Sequence, residues 1–272
     1  MQPLRDQPSH ANVRRMRERR RNSTRARGTL LPTELLLLAA SGVVILVTYL
    51  AWTPCAGSML EGTQFDPSPN EWASFTEACH AAMDHGDGFP VSGWLESPLQ
   101  RTVNGLNAIA LLLLGGAWLM LVRNWHPRGV LRLVLASLPG MLNLWLAGVA
   151  ALAFVWPPAE APAAASIAAL LMDITWLVSV IALLADRDMP LSVVLATRVV
   201  LLALATTAAS FGHLLVDYSV MINFSEANWD SPPGSGYLTA FSIALFAILS
   251  MLLGGLGRLE RRRLVREPVA PG

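Results

Sequence analysis

Lysine is missing from this 272-residue sequence, and charge of either sign is scarce. All 20 basic residues are arginine, only 14% of residues are charged, and 53% are hydrophobic. A soluble globular domain carries about one quarter charged residues. The balance excludes an ordinary soluble domain and indicates a protein of the lipid bilayer. The lack of lysine beside abundant alanine and arginine is typical of GC-rich coding sequences, so we expect a bacterial plasma membrane.

The sequence also lacks the short motifs that accompany common enzyme chemistry. It has no Gly-x-x-x-x-Gly-Lys phosphate loop, no His-Glu-x-x-His metalloprotease pair and no Gly-x-Ser-x-Gly nucleophile elbow. His213 is the only histidine inside an apolar run, whereas haem held between helices by two histidines needs both at matched depth. We therefore expect neither an enzyme nor a bound cofactor.

Long apolar runs are what the sequence has in abundance. About 20 apolar residues in a helix cross a hydrocarbon core roughly 30 Å thick. The runs are continuous rather than alternating, and a helix satisfies its own backbone hydrogen bonds in lipid. The sequence therefore predicts an all-α polytopic membrane protein with six transmembrane helices, at residues 30–51, 103–122, 131–155, 164–184, 191–215 and 237–257.

Arginine placement predicts the orientation of these helices, because positively charged flanks stay in the cytoplasm. Nine arginines precede the first run and five follow the last. By contrast, residues 61–101 contain seven acidic residues and one arginine. Both termini are therefore expected in the cytoplasm, as basic tails at residues 1–29 and 258–272 around a membrane domain at 30–257. We interpret the first tail as a topology signal that touches anionic lipid, and we expect no nucleic-acid partner.

The predicted exterior loop, residues 52–102, contains both cysteines of the chain, Cys55 and Cys79. Cysteine pairs in an oxidising compartment usually form disulfides, so we expect a bridge that staples this loop. The loop also holds four potential metal ligands: His80, Asp84, His85 and Asp87. They converge only if the glycines at 86 and 88 turn the chain back, so a solvated helix end and turn is the simpler interpretation, and we expect no metal.

Asp173 and Arg198 stand out because ionisable residues inside a membrane are costly and often functional. Asp173 is about nine residues into the fourth run, and Arg198 about seven residues into the fifth. The two runs are joined by a short turn, so the side chains either pair with each other or are satisfied separately, with Arg198 reaching the cytoplasmic interface.

Further polar residues lie in the third and fifth runs. Thr206, Ser210, His213 and Asp217 recur at spacings of four, three and four, which predicts one face of a continuous helix. That face indicates either close helix packing or a solute or proton path, in which His213 exchanges protons with Asp217. Asn143 follows Pro139 in the third run and lies near the predicted depth of Asp173. Pro139 has no backbone N–H, so we expect a kink that leaves backbone carbonyls free.

Two classes of function fit these patterns. The first is an accessory or scaffold component of a membrane complex, whose partners are the lipid bilayer and other membrane-protein subunits. The second is a permease or proton-linked transporter of small solutes that uses Asp173 and Arg198, together with Asn143, Ser210, His213 and Asp217. The scarcity of intramembrane polar groups favours the first.

Overall fold

The structure is a computed structural model, and every element in the part of the chain it describes is helical. It describes residues 30–55, 79, 82–83, 89–91, 99–125, 127, 129–158, 162–185, 193–225 and 234–266. The α-helices are α1 (Leu31–Ala51), α2 (Leu99–Trp125), α3 (Val130–Val155), α4 (Ala163–Leu184), α5 (Val193–Thr206), α6 (Phe211–Ser225) and α7 (Tyr237–Arg266). A short 3₁₀ turn, Thr53–Cys55, follows α1.

Five of these helices, α1 to α4 and α7, are long and apolar enough to cross a membrane. The fifth predicted span differs from expectation. The sequence predicts one continuous helix over residues 191–215, but α5 ends at Thr206 and α6 begins at Phe211, with a bend of 75° between them. The span count is thus five, or six if the bent pair is one span. Helix α7 also continues to Arg266, past the predicted end at residue 257.

The helices that follow each other around the bundle are mostly neighbours in sequence. Helix α1 packs against α2, α2 against α3 and α3 against α4. Helix α7 packs against α1, so the last helix contacts the first. Helix α5 packs mainly against α7 and also contacts α2, α4 and α1. Helix α6 contacts α4 and α7, so the two halves of the broken span do not share all of the same neighbours.

Pro139 inside α3 frees a backbone carbonyl, and a neighbouring helix satisfies it. Pro139 has no N–H, so the carbonyl of Leu135 loses its usual helical donor. The Ser179 hydroxyl of α4 lies 2.6 Å from this oxygen and 2.7 Å from the Thr175 carbonyl of its own helix, and its single proton is shared between the two acceptors. One residue on, the Trp118 indole of α2 donates to the Ala136 carbonyl at 2.6 Å. Side chains of α2 and α4 therefore donate to carbonyls in the turn before Pro139, where lipid cannot supply a donor.

Helices α2 and α3 approach closely because glycine faces glycine at their crossing. A Cβ atom added at Gly115 would lie 3.0 Å from the backbone oxygen of Gly140 and 3.2 Å from the Leu144 side chain. A Cβ at Gly140 would lie 2.8 Å from Leu119. Small residues at such crossings let two backbones pack without intervening side chains.

The end of α1 is tied to the start of α7 and to the loop between α1 and α2. The Trp52 indole donates to the Ser235 carbonyl at 2.9 Å. Cys55 and Cys79 form the expected disulfide, with their Cα atoms 4.6 Å apart. Both cysteines are buried in a small apolar cluster with Trp52, Ala82 and Met83.

Candidate functional site

The break in the fifth span begins where two threonines end α5. The Thr206 hydroxyl donates to the Leu202 carbonyl at 2.7 Å, and the Thr207 hydroxyl to the Ala203 carbonyl at 2.9 Å. Threonine hydroxyls that bond back to the preceding turn weaken and bend a helix. The chain then turns through residues 207–210, where the Ser210 N–H donates to the Thr207 carbonyl at 2.8 Å. A cluster of threonine, alanine and serine thus replaces the bulky apolar residues that continue other spans.

Asn143 of α3 caps the carboxyl end of α5. Its side-chain Nδ2 donates to the Thr206 carbonyl at 3.0 Å and to the Pro139 carbonyl of its own helix at 3.0 Å. Asn143 and Thr206 are both fully buried. The last carbonyls of a helix have no partner within it. The Asn143 amide therefore supplies a donor at the negative end of the α5 dipole.

Asp173 of α4 caps the amino end of α6. Both carboxylate oxygens accept the Gly212 N–H, at 3.1 and 3.0 Å. A Cβ atom added at Gly212 would lie 2.8 Å from Asp173 Oδ1, so glycine is needed for this approach. An anion at the amino end of a helix is favoured by the dipole and by its unpaired N–H groups. Each end of the break is therefore met by a side chain of suitable polarity from another helix.

Ser210 and His213 interact within the first turn of α6. The Ser210 hydroxyl and His213 Nδ1 are 3.1 Å apart, and the His213 N–H donates to the same hydroxyl at 3.4 Å. Asp173 binds the N–H of Gly212, the residue before His213. The structure therefore groups Asp173, Ser210 and His213 around the start of α6.

Asp217 points away from this group and caps the start of α7. One carboxylate oxygen accepts the Thr239 N–H at 3.0 Å, and the other accepts the Gly236 N–H. Gly236 has φ +105, and a Cβ there would lie 2.6 Å from the Thr48 hydroxyl of α1. The predicted single face of Thr206, Ser210, His213 and Asp217 is therefore divided by the break. Proton exchange between His213 and Asp217 stays a prediction.

Arg198 forms a buried ion pair, and its partner is Glu34 of α1. Arg198 Nη2 lies 2.7 Å from Glu34 Oε1, and 7% and 2% of the two side chains are exposed. Ser250 of α7 joins them, accepting from Arg198 Nε at 3.3 Å and donating to Glu34 Oε1. The interaction considered from sequence, between Arg198 and Asp173, does not occur because each side chain is engaged elsewhere. The pair joins α1, α5 and α7 instead.

Glu34 is the residue of this group that the sequence patterns did not single out. It lies in the first turn of α1, where an acidic residue is also expected simply as a favourable helix start. The available signal was that Glu34 is the only acidic residue in the run at 30–51. Arg198 is a charge inside another apolar run and needs a partner of opposite charge, so Glu34 was a candidate for that partner.

The four potential metal ligands of the loop, His80, Asp84, His85 and Asp87, lie outside the described residues. Among the residues that are described, no three His, Cys, Asp or Glu side chains group as a metal site would require. No protein-family model, curated protein or solved structure matches the chain.

Proposed function

We propose that this multi-pass membrane protein is an accessory or scaffold component of a membrane complex and is not an enzyme. One observation carries the proposal: the three ionisable side chains that are buried among the described residues are bonded to other helices, and so is the half-buried Asp173. Arg198 and Glu34 join three helices, Asp173 caps α6, and Asp217 caps α7. Groups committed in this way stabilise one arrangement of the bundle, which suits a protein that presents a fixed surface to neighbouring subunits.

We place the protein in a bacterial plasma membrane with both termini in the cytoplasm. The support is the sequence: nine arginines lie before α1 and five follow residue 257, whereas residues 61–101 are acidic. The disulfide between Cys55 and Cys79 agrees with an oxidising exterior for the loop after α1.

Native mass spectrometry of the gently extracted protein, combined with reconstitution into liposomes, tests this proposal. We expect a complex of fixed stoichiometry with at least one other membrane protein, and no solute or proton flux from the purified chain alone. A protein that is extracted without a partner and that conducts a flux in liposomes would contradict the scaffold function.

A proton-linked permease is the second candidate, and the broken fifth span favours it. Transporter sites are commonly built where a span is interrupted and half-helix ends face polar groups. Here Asp173, Ser210 and His213 meet at such an end. If this candidate is right, Asp173→Asn abolishes a proton-dependent flux. The matched control is Ser179→Ala, which removes an interhelical hydrogen bond of α4 away from the break and leaves the flux intact.

A further inference from the structure

Trp145 is an exposed tryptophan in the middle of α3, one of the helices long and apolar enough to cross a membrane. Its side chain is 61% exposed, and it lies about 20 Å from Arg132 and about 17 Å from Trp156 along the helix axis. Arginine and tryptophan favour the interfaces of a membrane, so Arg132 and Trp156 mark the two borders of this span. Trp145 therefore faces outward near the middle of the bilayer.

The three buried tryptophans among the described residues show what an indole N–H requires inside the bundle. Each donates, at 2.6 to 3.0 Å, to a backbone carbonyl outside its own helix or turn: Trp52, Trp118 and Trp125. The Trp145 indole donates to no acceptor in the described part of the chain. Lipid tails offer no acceptor at this depth, whereas a second protein chain does.

Trp118 shows how glycine makes a helical carbonyl accessible to an indole. Its Nε1 donates to the Ala136 carbonyl of α3 at 2.6 Å, and a Cβ atom added at Gly140 would lie 3.2 Å from Trp118 Cδ1. The Ala136 carbonyl is the one that accepts the Gly140 N–H within the helix, and its oxygen has a second lone pair. The indole thus reaches this oxygen beside a glycine that has no side chain to block it.

The exposed face of α3 repeats this arrangement beside Trp145. Gly148 is exposed, and a Cβ atom added there would meet nothing within 4 Å. The carbonyl four residues before it is that of Leu144. Leu144 and Trp145 differ in depth by one residue, or about 1.5 Å. One face therefore carries both an indole without an acceptor and an accessible carbonyl at the same depth.

We infer that α3 packs against α3 of a second copy of this chain, with each Trp145 indole donating to the Leu144 carbonyl of the other copy beside Gly148. Two copies inserted in the same orientation hold equal residues at equal depth, so a two-fold axis along the membrane normal forms both bonds at once. Donor and acceptor lie in one patch, as a contact between identical surfaces requires. Met141 and Leu152, four residues before Trp145 and after Gly148, extend the exposed stripe at the spacing of one helix face.

This pairing does not depend on the scaffold function or on transport, because it needs only the chain itself. Its test therefore uses the purified full-length protein in liposomes, without other subunits and without a flux assay. A failure of the pairing would leave the search for other subunits unaffected.

Energy transfer between copies labelled at Ser9→Cys, with stepwise dilution by lipid, measures the association. The disulfide leaves the introduced cysteine as the single thiol. We expect Trp145→Phe, which keeps a ring and removes the N–H, to weaken association about three- to tenfold, and Gly148→Leu, which covers the Leu144 carbonyl, to weaken it at least about tenfold. Both positions are exposed, so the fold of each copy should be unchanged. Trp156→Phe, at the exposed tryptophan that follows α3, is the matched control and should have no effect.

Oxidative cross-linking of single-cysteine proteins in the same liposomes locates the contact. Met141→Cys lies on the exposed stripe and should give a covalent dimer, whereas Leu112→Cys, on the exposed side of α2, should remain monomeric. Energy transfer no greater than random crowding produces, or an association that Trp145→Phe and Gly148→Leu both leave unchanged, would overturn the inference.

Discussion

Arg198 and Glu34 are charged residues whose burial between the helices has a high energetic cost. Both side chains are almost completely buried, and each charge is compensated by the other and by Ser250. The cost of burying two charges can exceed their attraction, so the pair specifies how α1, α5 and α7 fit together rather than adding a large net stability. Loss of one partner is a different matter, because the other charge is then left unpaired.

Removal of either charge alone should therefore be more harmful than removal of both. We expect Arg198→Leu or Glu34→Leu to lower the free energy of unfolding by about 3–5 kcal/mol, and the double variant to lose less than either single variant. Unfolding in mixed micelles by titration with SDS measures these values. Arg123→Leu, at an exposed arginine of α2, is the control and should change stability little. Strictly additive losses would show that the two side chains are not coupled.

Gly254 of α7 provides the space in which the Arg198 guanidinium lies. A Cβ atom at Gly254 would be 2.8 Å from Arg198 Cζ, whereas a Cβ at Gly255 would meet nothing within 4 Å. The guanidinium cannot retreat without losing Glu34 or Ser250. We expect Gly254→Ala to destabilise the protein by about 1–3 kcal/mol and Gly255→Ala to change stability by less than about 0.5 kcal/mol, in the same SDS titration. Equal effects of the two substitutions would argue against this packing.

The partner of Arg198 illustrates what a single sequence does not contain. Arg198 itself was recognisable, because a charge inside an apolar run needs compensation. Glu34 lies 164 residues away in the chain, and nothing in its local pattern distinguishes a buried acid from an ordinary first-turn acid. Asp173 was nearer in sequence and therefore the more obvious partner, but its carboxylate is used by the α6 backbone.

At the scale of helices, the interrupted fifth span is held at both ends by other spans. Asn143 of α3 binds the end of α5, and Asp173 of α4 binds the start of α6. Apolar packing contributes less than polar bonds to the position of α6. In the part of the chain that is described, Asp217 is the only buried side chain of this helix, and Phe211, Leu215 and Val216 are exposed. Its position therefore depends on polar bonds near Gly212 and at Asp217 more than on apolar contacts.

Loss of the Asp173 carboxylate should consequently loosen the start of α6 before it affects the bundle. We expect Asp173→Ala to cost about 0.5–2 kcal/mol, as for the loss of other helix caps, with Asp173→Asn in between because one acceptor oxygen remains. Hydrogen exchange measured by mass spectrometry should become faster in residues 211–216 and stay unchanged in α2. Ser179→Ala, elsewhere on α4, is the control for a general loosening. Unchanged exchange at 211–216 in Asp173→Ala would contradict the capping role.

Most of the helices could be predicted from the sequence, whereas the break could not. Apolar runs at residues 30–51, 131–155 and 164–184 match α1, α3 and α4 to within one residue at each end. Residues 191–215 have the composition of a single span, and their polar residues are spaced as on a continuous helix. The interruption depends on side chains of α3 and α4 that bind its backbone, and such tertiary bonds leave no periodic signal. The cluster of Thr206, Thr207, Ser210 and Gly212 was the local sign of it.

At the scale of the whole molecule, the first and last spans are joined at both of their ends. Near one end the Glu34, Arg198 and Ser250 group connects α1 to α7, and near the other Trp52 binds the Ser235 carbonyl. Between them, the Ser41 hydroxyl donates to the Ala240 carbonyl at 2.8 Å. These bonds run the length of an antiparallel pair, so we expect the start of α1 and the far part of α7 on the same side of the membrane.

The arginine distribution then predicts which side that is. Nine arginines before α1 and five after residue 257 should hold both ends in the cytoplasm, and the seven acidic residues of 61–101 should remain outside. Because Cys55 and Cys79 are joined, an introduced cysteine supplies a single reactive thiol. We expect a membrane-impermeant maleimide to label Asp66→Cys in intact cells and Ser9→Cys only after the membrane is opened. The reverse pattern would place the arginine-rich ends outside, and the disulfide would then lie in a reducing compartment that does not favour its formation.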